Sequence, residues 1–222
     1  MPTNDAATPT NDEARPSTAS PRERIMAAAA KLFAQKGLHG AGLREIAREA
    51  MVNVNLIAYH FKTKEELYAQ VIEATANELN SARDIILEAL DHRYSPGVPP
   101  VSEIMYAFVH PVFTIIERDE QVWRYFLGAY RRETSTDIWN DVNKRTTVPV
   151  MRRFTTALHR SLPSAKRSDV IFVLELAIQS LAISEEASSA SMLGESLAAD
   201  RAPQDLESQL IRGLTAAAAC FL

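Results

Sequence analysis

Cysteine is almost missing from this chain: Cys220 is the only one in 222 residues. An intrachain disulfide is thereby excluded, and a reducing, cytoplasmic setting is expected. No run of about 18 apolar residues occurs, which argues against a membrane span. The opening stretch MPTNDAATPTNDEARPSTASP has neither an apolar core nor a basic leader, so it is not expected to act as a secretory signal. Glycine is scarce, at seven residues, and no stretch alternates apolar and polar residues between turn signals. Strands are therefore not expected. Reaction chemistry is equally thin. There is no phosphate loop, no paired-histidine metal motif and no Gly-x-Ser-x-Gly elbow. His39, His60, His92, His110 and His159 lack the ligand spacing of a zinc site. The chain is read as no enzyme, with no cofactor and no metal.

What is present suits a soluble helical protein. The apolar fraction of 46% is enough for a sizeable core, and 23% of residues are charged. The net charge of −4 is unevenly spread. Residues 21–70 are locally basic, with Arg22, Arg24, Lys31, Lys36, Arg44, Arg48, Lys62 and Lys64 against Glu23, Glu45, Glu49, Glu65 and Glu66. A basic head on an acidic body permits phosphate contact by the head and discourages it elsewhere. Chance clustering is the plain alternative.

Residues 1–20, rich in Pro, Thr, Ser, Asn and Ala, read as a disordered tail. Everything after them reads as helix. Ser20-Pro21-Arg22-Glu23 places Ser at N-cap, Pro at N1 and Glu at N3, which is a capping box. Ile25, Ala28, Ala29, Leu32 and Phe33 follow at helical spacing, and Gly37 is expected to end the helix with a positive φ. A second helix is expected at about 43–50, then a turn at Met51-Val52-Asn53. A third is expected at about 54–60, capped by Asn53. Thr63 and Glu66 form a second capping box, opening a long helix to about residue 91. Beyond the loop at 94–100, helices are expected at about 101–118, 119–133, 136–161, 166–191 and 203–221. Pro111 and Pro149 are expected to kink or split two of these.

Two short helices joined by a tight turn, with a long helix behind, make a helix-turn-helix pattern. Ile46, Ala47, Val52 and Ile57 would lock the pair. The residues here resemble a known family. The segment from Arg24 through Phe33 to Gly37, then Leu43-Arg44-Glu45-Ile46-Ala47-Arg48-Glu49-Ala50, then Tyr59-His60-Phe61-Lys62-Thr63-Lys64-Glu65-Glu66-Leu67, are similar to the TetR (tetracycline-repressor) family. The resemblance covers about 50 residues strongly, and the body resembles the family only in helicity and length. Three positions depart from the pattern. Gly42 stands where Thr is usual, Met51 where Gly is usual in the turn, and Ala58 where a phosphate-contacting Tyr is common. A left-handed Met51 would carry roughly 1–2 kcal/mol of strain, and an altered turn would avoid it.

The resemblance implies an all-α fold with three parts: the tail at 1–20, a helix-turn-helix DNA-binding domain at 21–70, and a helical effector-binding and dimerisation domain at 71–222. It implies a regulator of transcription, a repressor released by a small-molecule effector. Its partners would be double-stranded operator DNA, that effector and a second copy of the chain, with no membrane. In the head, Asn55 is the best base reader, because its amide can pair with adenine N6 and N7. Val54 can touch a thymine methyl. Lys64 lies where the family uses a lysine on phosphate, at a helix start that favours anions. Arg44, Asn53 and Lys62 complete the expected DNA contacts, with Tyr59 and His60 either on phosphate or packed within the domain.

In the body, Met105, Phe108, Phe113, Trp123, Phe126 and Tyr130 are either ligand-lining or plain core. His110 is expected to be a satisfied core histidine. Val170, Leu174, Ile178 and Leu181 form one stripe with Val173 and Ala177. Leu210, Leu214, Ala217 and Phe221 form a second with Leu206. Together they could build a four-helix dimer interface or an intramolecular core. Cys220 is expected to be a small buried hydrophobe. A rival reading is a helical ligand-binding or adaptor protein with a degenerate DNA-binding head.

Overall fold

The architecture follows from where the chain can start and stop helices. In the computed structural model, described for residues 19–119, 137–186 and 203–221, eight helices and no strand are found among the described residues. Helix α1 (Pro21–Gly40) starts as the sequence dictates. The Ser20 hydroxyl accepts from Glu23 N at 3.2 Å, and the Glu23 carboxylate accepts from Ser20 N at 2.7 Å. Its regular part stops at Gly37, whose φ of 69° and ψ of 176° are not helical; one more turn carries the chain to Gly40. Helices α2 (Leu43–Glu49) and α3 (Val54–Phe61) follow.

Helix α4 (Lys64–Tyr94) spans both halves of the molecule. At its start the Thr63 hydroxyl accepts from Glu66 N, but the reciprocal half of the expected box is not made. The Glu66 carboxylate instead accepts from Gln70 Nε2 at 3.3 Å. The N-terminal part of α4 packs on α1 and α3, where Phe33 and Tyr68 meet edge to face at 5.1 Å. Its remainder packs on α5 (Val101–Arg118) and α6 (Asp137–Ser161). Helix α7 (Arg167–Glu186) lies between α6 and α8 (Pro203–Ala219), and α8 closes onto α5.

Three expectations are corrected in the body. Pro111 and Pro149 do not split α5 and α6, which continue through them. A proline removes one intrahelical bond at a cost of about 3 kcal/mol. The flanking Phe108, Val112, Val150 and Phe154 are buried on both sides of those positions and hold the helices continuous. Cys220 is exposed, not buried. The stripe at Val170, Val173, Leu174, Ala177 and Leu181 is buried inside the chain, as is Leu214. Side chains already out of water lose no further surface on association, so these cannot be what a second copy covers. Ile178, Leu210, Ala217 and Phe221 are half-buried against the same core. Left outside on α7 are Ile171, Phe172 and Leu176.

Candidate nucleic-acid interface

The head is built to hold α3 with one face free. Ile57 and Phe61 are buried against Ile25, Ile46 and Ala47, while Asn55, Ala58 and Tyr59 are exposed. Tyr59 is 80% exposed, unusual for so large a ring, and only its edge-to-face contact with His60 covers it. His60 sits about 140° round the helix from Asn55, half-buried between Tyr59 and Phe61, so it does not share the outward face. Val54 is half-buried at the helix start. Asn53 uses its Oδ1 to accept from Asn55 N at 2.9 Å, the cap read from the sequence.

Around α3 stand the cations. Arg44 and Lys62 are exposed, Lys62 with a φ of 53° at the end of α3. The Lys64 ammonium donates to the Ala41 carbonyl at 3.3 Å, so it is tethered at the opening of α4, not free in solvent. Arg48 is also exposed, and lies 3.9 Å from Glu45. Glu45 and Glu49 face α1, where they pair with Lys36 and Lys31, each at 2.6 Å. The Lys36 bond holds the Glu45 carboxyl below its usual range. Glu45 and Glu49 are thus turned toward α1, while Arg44 and Lys62 stand exposed.

The turn between α2 and α3 takes the left-handed option. Met51 has a φ of 53° and is 79% exposed. Such a conformation costs a non-glycine residue roughly 1–2 kcal/mol. Val52 N donates to the Ala47 carbonyl at 2.9 Å, closing the turn. Two arginines of α1 that the sequence reading left without a role also reach this region. Arg24 Nε donates to the Ala50 carbonyl at 3.2 Å, and its Nη1 donates to the Ala19 carbonyl at 3.1 Å. Arg22 bonds the Gln70 amide and lies 5.4 Å over the Phe61 ring. Backbone acceptors leave no trace in a sequence, so only the cationic first turn of α1 hinted at them.

In the body, Met105 and Phe108 are fully buried on α5, and Phe113 is half-buried. Trp123, Phe126 and Tyr130 lie outside the described residues. The Arg83 guanidinium, 5% exposed, lies 4.0 Å over the Phe108 ring, and Nε donates to the Phe108 carbonyl at 3.0 Å. His110, half-buried, bonds Glu207 of α8 at 2.8 Å and stacks on Tyr106. A cleft of about 220 Å³ between α6 and α7 is lined in part by Asn143, Thr147, Met151 and Ile178. Among the described residues no cluster of His, Cys, Asp or Glu could hold a metal ion. No described helix is long and apolar enough to cross a membrane.

Two family models match parts of the chain. Residues 25–71 match the model described as "Bacterial regulatory proteins, tetR family", and residues 106–217 match "Tetracyclin repressor-like, C-terminal domain". The chain is 32% identical over 104 residues to the HTH-type transcriptional activator FasR of Mycolicibacterium smegmatis, covering 46% of this chain and 43% of FasR. It therefore spans less than half of FasR's length. It is 24% identical over 148 residues to the HTH-type transcriptional repressor KstR2 of the same species, covering 54% of this chain and 72% of KstR2. The crystal structure of Mycobacterium smegmatis AmtR shares the fold with a TM-score of 0.59 at 17% identity, covering 93% of this chain and 95% of that one. With a reading helix held outward on a basic head, and both family models matched in order, the chain belongs to the TetR family of bacterial transcriptional regulators.

Proposed function

We propose that this regulator binds operator DNA as a homodimer through α3 and that a small-molecule effector bound in the body lowers its affinity. The observation that carries the reading is the outward face of Asn55, Ala58 and Tyr59 on a helix whose other side is buried, flanked by Arg44 and Lys62. In this reading Asn55 and Val54 touch bases in the major groove. Arg44, Asn53, Tyr59, Lys62 and Lys64 engage the phosphate backbone, with Lys64 exchanging or sharing its Ala41 contact, while His60 packs between Tyr59 and Phe61.

The dimer uses the outer face of α7. Ile171, Phe172 and Leu176 are 43%, 58% and 37% exposed on consecutive turns, an apolar patch that water would otherwise wet. The half-buried Ile178, Leu210, Ala217 and Phe221 of α7 and α8 are proposed to add to it. Two copies would place two reading helices about one DNA turn apart. The effector site is proposed on the inner side of α5, at Met105, Phe108 and Phe113, with Trp123, Phe126 and Tyr130 as further members read from the sequence. Met105 and Phe108 are fully buried, so an effector enters here only by parting packed side chains, with the Arg83 guanidinium as its polar anchor. Repression relieved by the effector is the mode proposed, as a shift between conformations that do and do not match successive grooves.

The test is binding of the purified protein to the DNA upstream of its own gene across a salt series. Selective binding that weakens steeply with salt supports the reading. Lys64→Ala should weaken all sequences alike and lower the salt slope by about one. Absence of selective binding at low salt would support an adaptor with an idle head.

A further inference from the structure

The strained turn and the arginine beside it belong together. Ala50 caps α2, and its carbonyl accepts from the guanidinium of Arg24. The next residue is Met51, held at a φ of 53° with its side chain in solvent. Nothing about the side chain of Met51 fixes that backbone, since it packs on nothing in the core. Two sets of bonds hold the turn from either side: Val52 N to the Ala47 carbonyl and Met51 N to the Arg48 carbonyl within the motif, and Arg24 to Ala50 from outside it. The second is charge-assisted, and the same guanidinium is anchored by the Ala19 carbonyl, so it cannot swing freely. A sparsely populated backbone state persists only where its surroundings over-determine it.

We propose that Arg24 is a positioning residue for DNA recognition: it clamps the Ala50 carbonyl and so holds Met51 in the left-handed conformation that sets α3 at its reading angle. This rests on the DNA-binding reading above. Arg24 touches no phosphate in this arrangement; it acts through the turn. Without it, the turn relaxes toward negative φ at Met51 and α3 tilts. A glycine at position 51 would hold the same turn without the clamp, because glycine adopts positive φ without a steric penalty. The chain needs the clamp because it carries Met where glycine would serve.

The test is a double-mutant cycle in the full-length dimer, with Arg24→Gln, Met51→Gly and the pair. Each is titrated with operator DNA over a salt series, and each is melted without DNA. Arg24→Gln should weaken operator binding about tenfold with the salt slope unchanged, since no phosphate contact is lost. Met51→Gly alone should bind as the parent does. The pair should return to within about threefold of the parent, and Met51→Gly should raise the melting temperature more in the Arg24→Gln background than in the parent.

A reduced salt slope for Arg24→Gln would make it a phosphate contact and overturn the proposal. So would failure of Met51→Gly to restore binding, or additive melting shifts. Were the parent itself not to bind selectively, the functional reading would fall, and the melting cycle would still decide whether the clamp and the strained turn are coupled.

Discussion

Replacing Phe172 by Ala should split the dimer, and the expected size follows from the monomer. A phenylalanine side chain can bury on the order of 200 Å², and Phe172 is 58% exposed. About 120 Å² per copy is therefore available, worth about 3 kcal/mol at 25 cal/mol per Å². Alanine keeps part of that area, so the loss is about 2 kcal/mol per copy. A two-fold interface contains the residue twice, which gives about 4 kcal/mol, or about a thousandfold in the dimer dissociation constant. Sedimentation velocity over a concentration series reads that constant directly. Because Phe172 touches none of the buried stripe's work, the melting of the isolated protomer should hardly change. An unaltered dissociation constant, or a parent protein that is monomeric throughout the range, would refute the assignment of α7's outer face.

Four further outcomes are expected. Ser20→Ala should cost about 1 kcal/mol of head stability, read by thermal unfolding, because it removes a helix cap. Glu23 of the same box is held below its ordinary value of 4.5 by the Ser20 backbone N–H and then its hydroxyl. Its contribution is therefore complete above that value and fades as pH falls toward the lower folded one, so an acid melt should show a shoulder there that Glu23→Gln lacks. Arg83→Ala should cost about 3 kcal/mol in denaturant unfolding, by emptying a filled core position and taking the donor from the Phe108 carbonyl. Asn55→Ala should cost about 1–3 kcal/mol of operator binding and relax base preference at one position, read by competition between operator variants.

Local signals proved sufficient where a residue's partner is close in sequence. The Ser20 and Asn53 caps, the Gly37 break and most helix starts are interactions over two to four residues, and the sequence carries both partners. The order of helices in the head followed, and with it the outward position of Asn55. Two of the misjudgements needed a neighbour from far along the chain. Pro111 and Pro149 look like breakers until Phe108 and Phe154 are seen packed against each other at 5.2 Å. The Val170–Leu181 stripe looks like an interface until α6 and α8 are seen to cover it. Helix α7 is apolar on two sides, and periodicity alone does not say which side a second copy meets. The Arg24 clamp joins positions 26 residues apart through a backbone atom, which no pattern encodes.

The arginines of the body have a bearing on how the molecule would travel on DNA. Arg118, Arg145, Arg153 and Arg160 each pair with a carboxylate of α4, namely Glu78, Glu73, Asp84 with Glu88, and Asp91, while Arg93 of α4 itself pairs with Glu103. A cation already opposed by its own chain's carboxylate offers little to a passing phosphate, and the acidic surplus of residues 71–222 repels it. Weak, sequence-blind encounters with the genome would then be made with the head alone. Every collision that sticks would already have the right end down, and the search for an operator would become sliding along one dimension without a separate step of turning over.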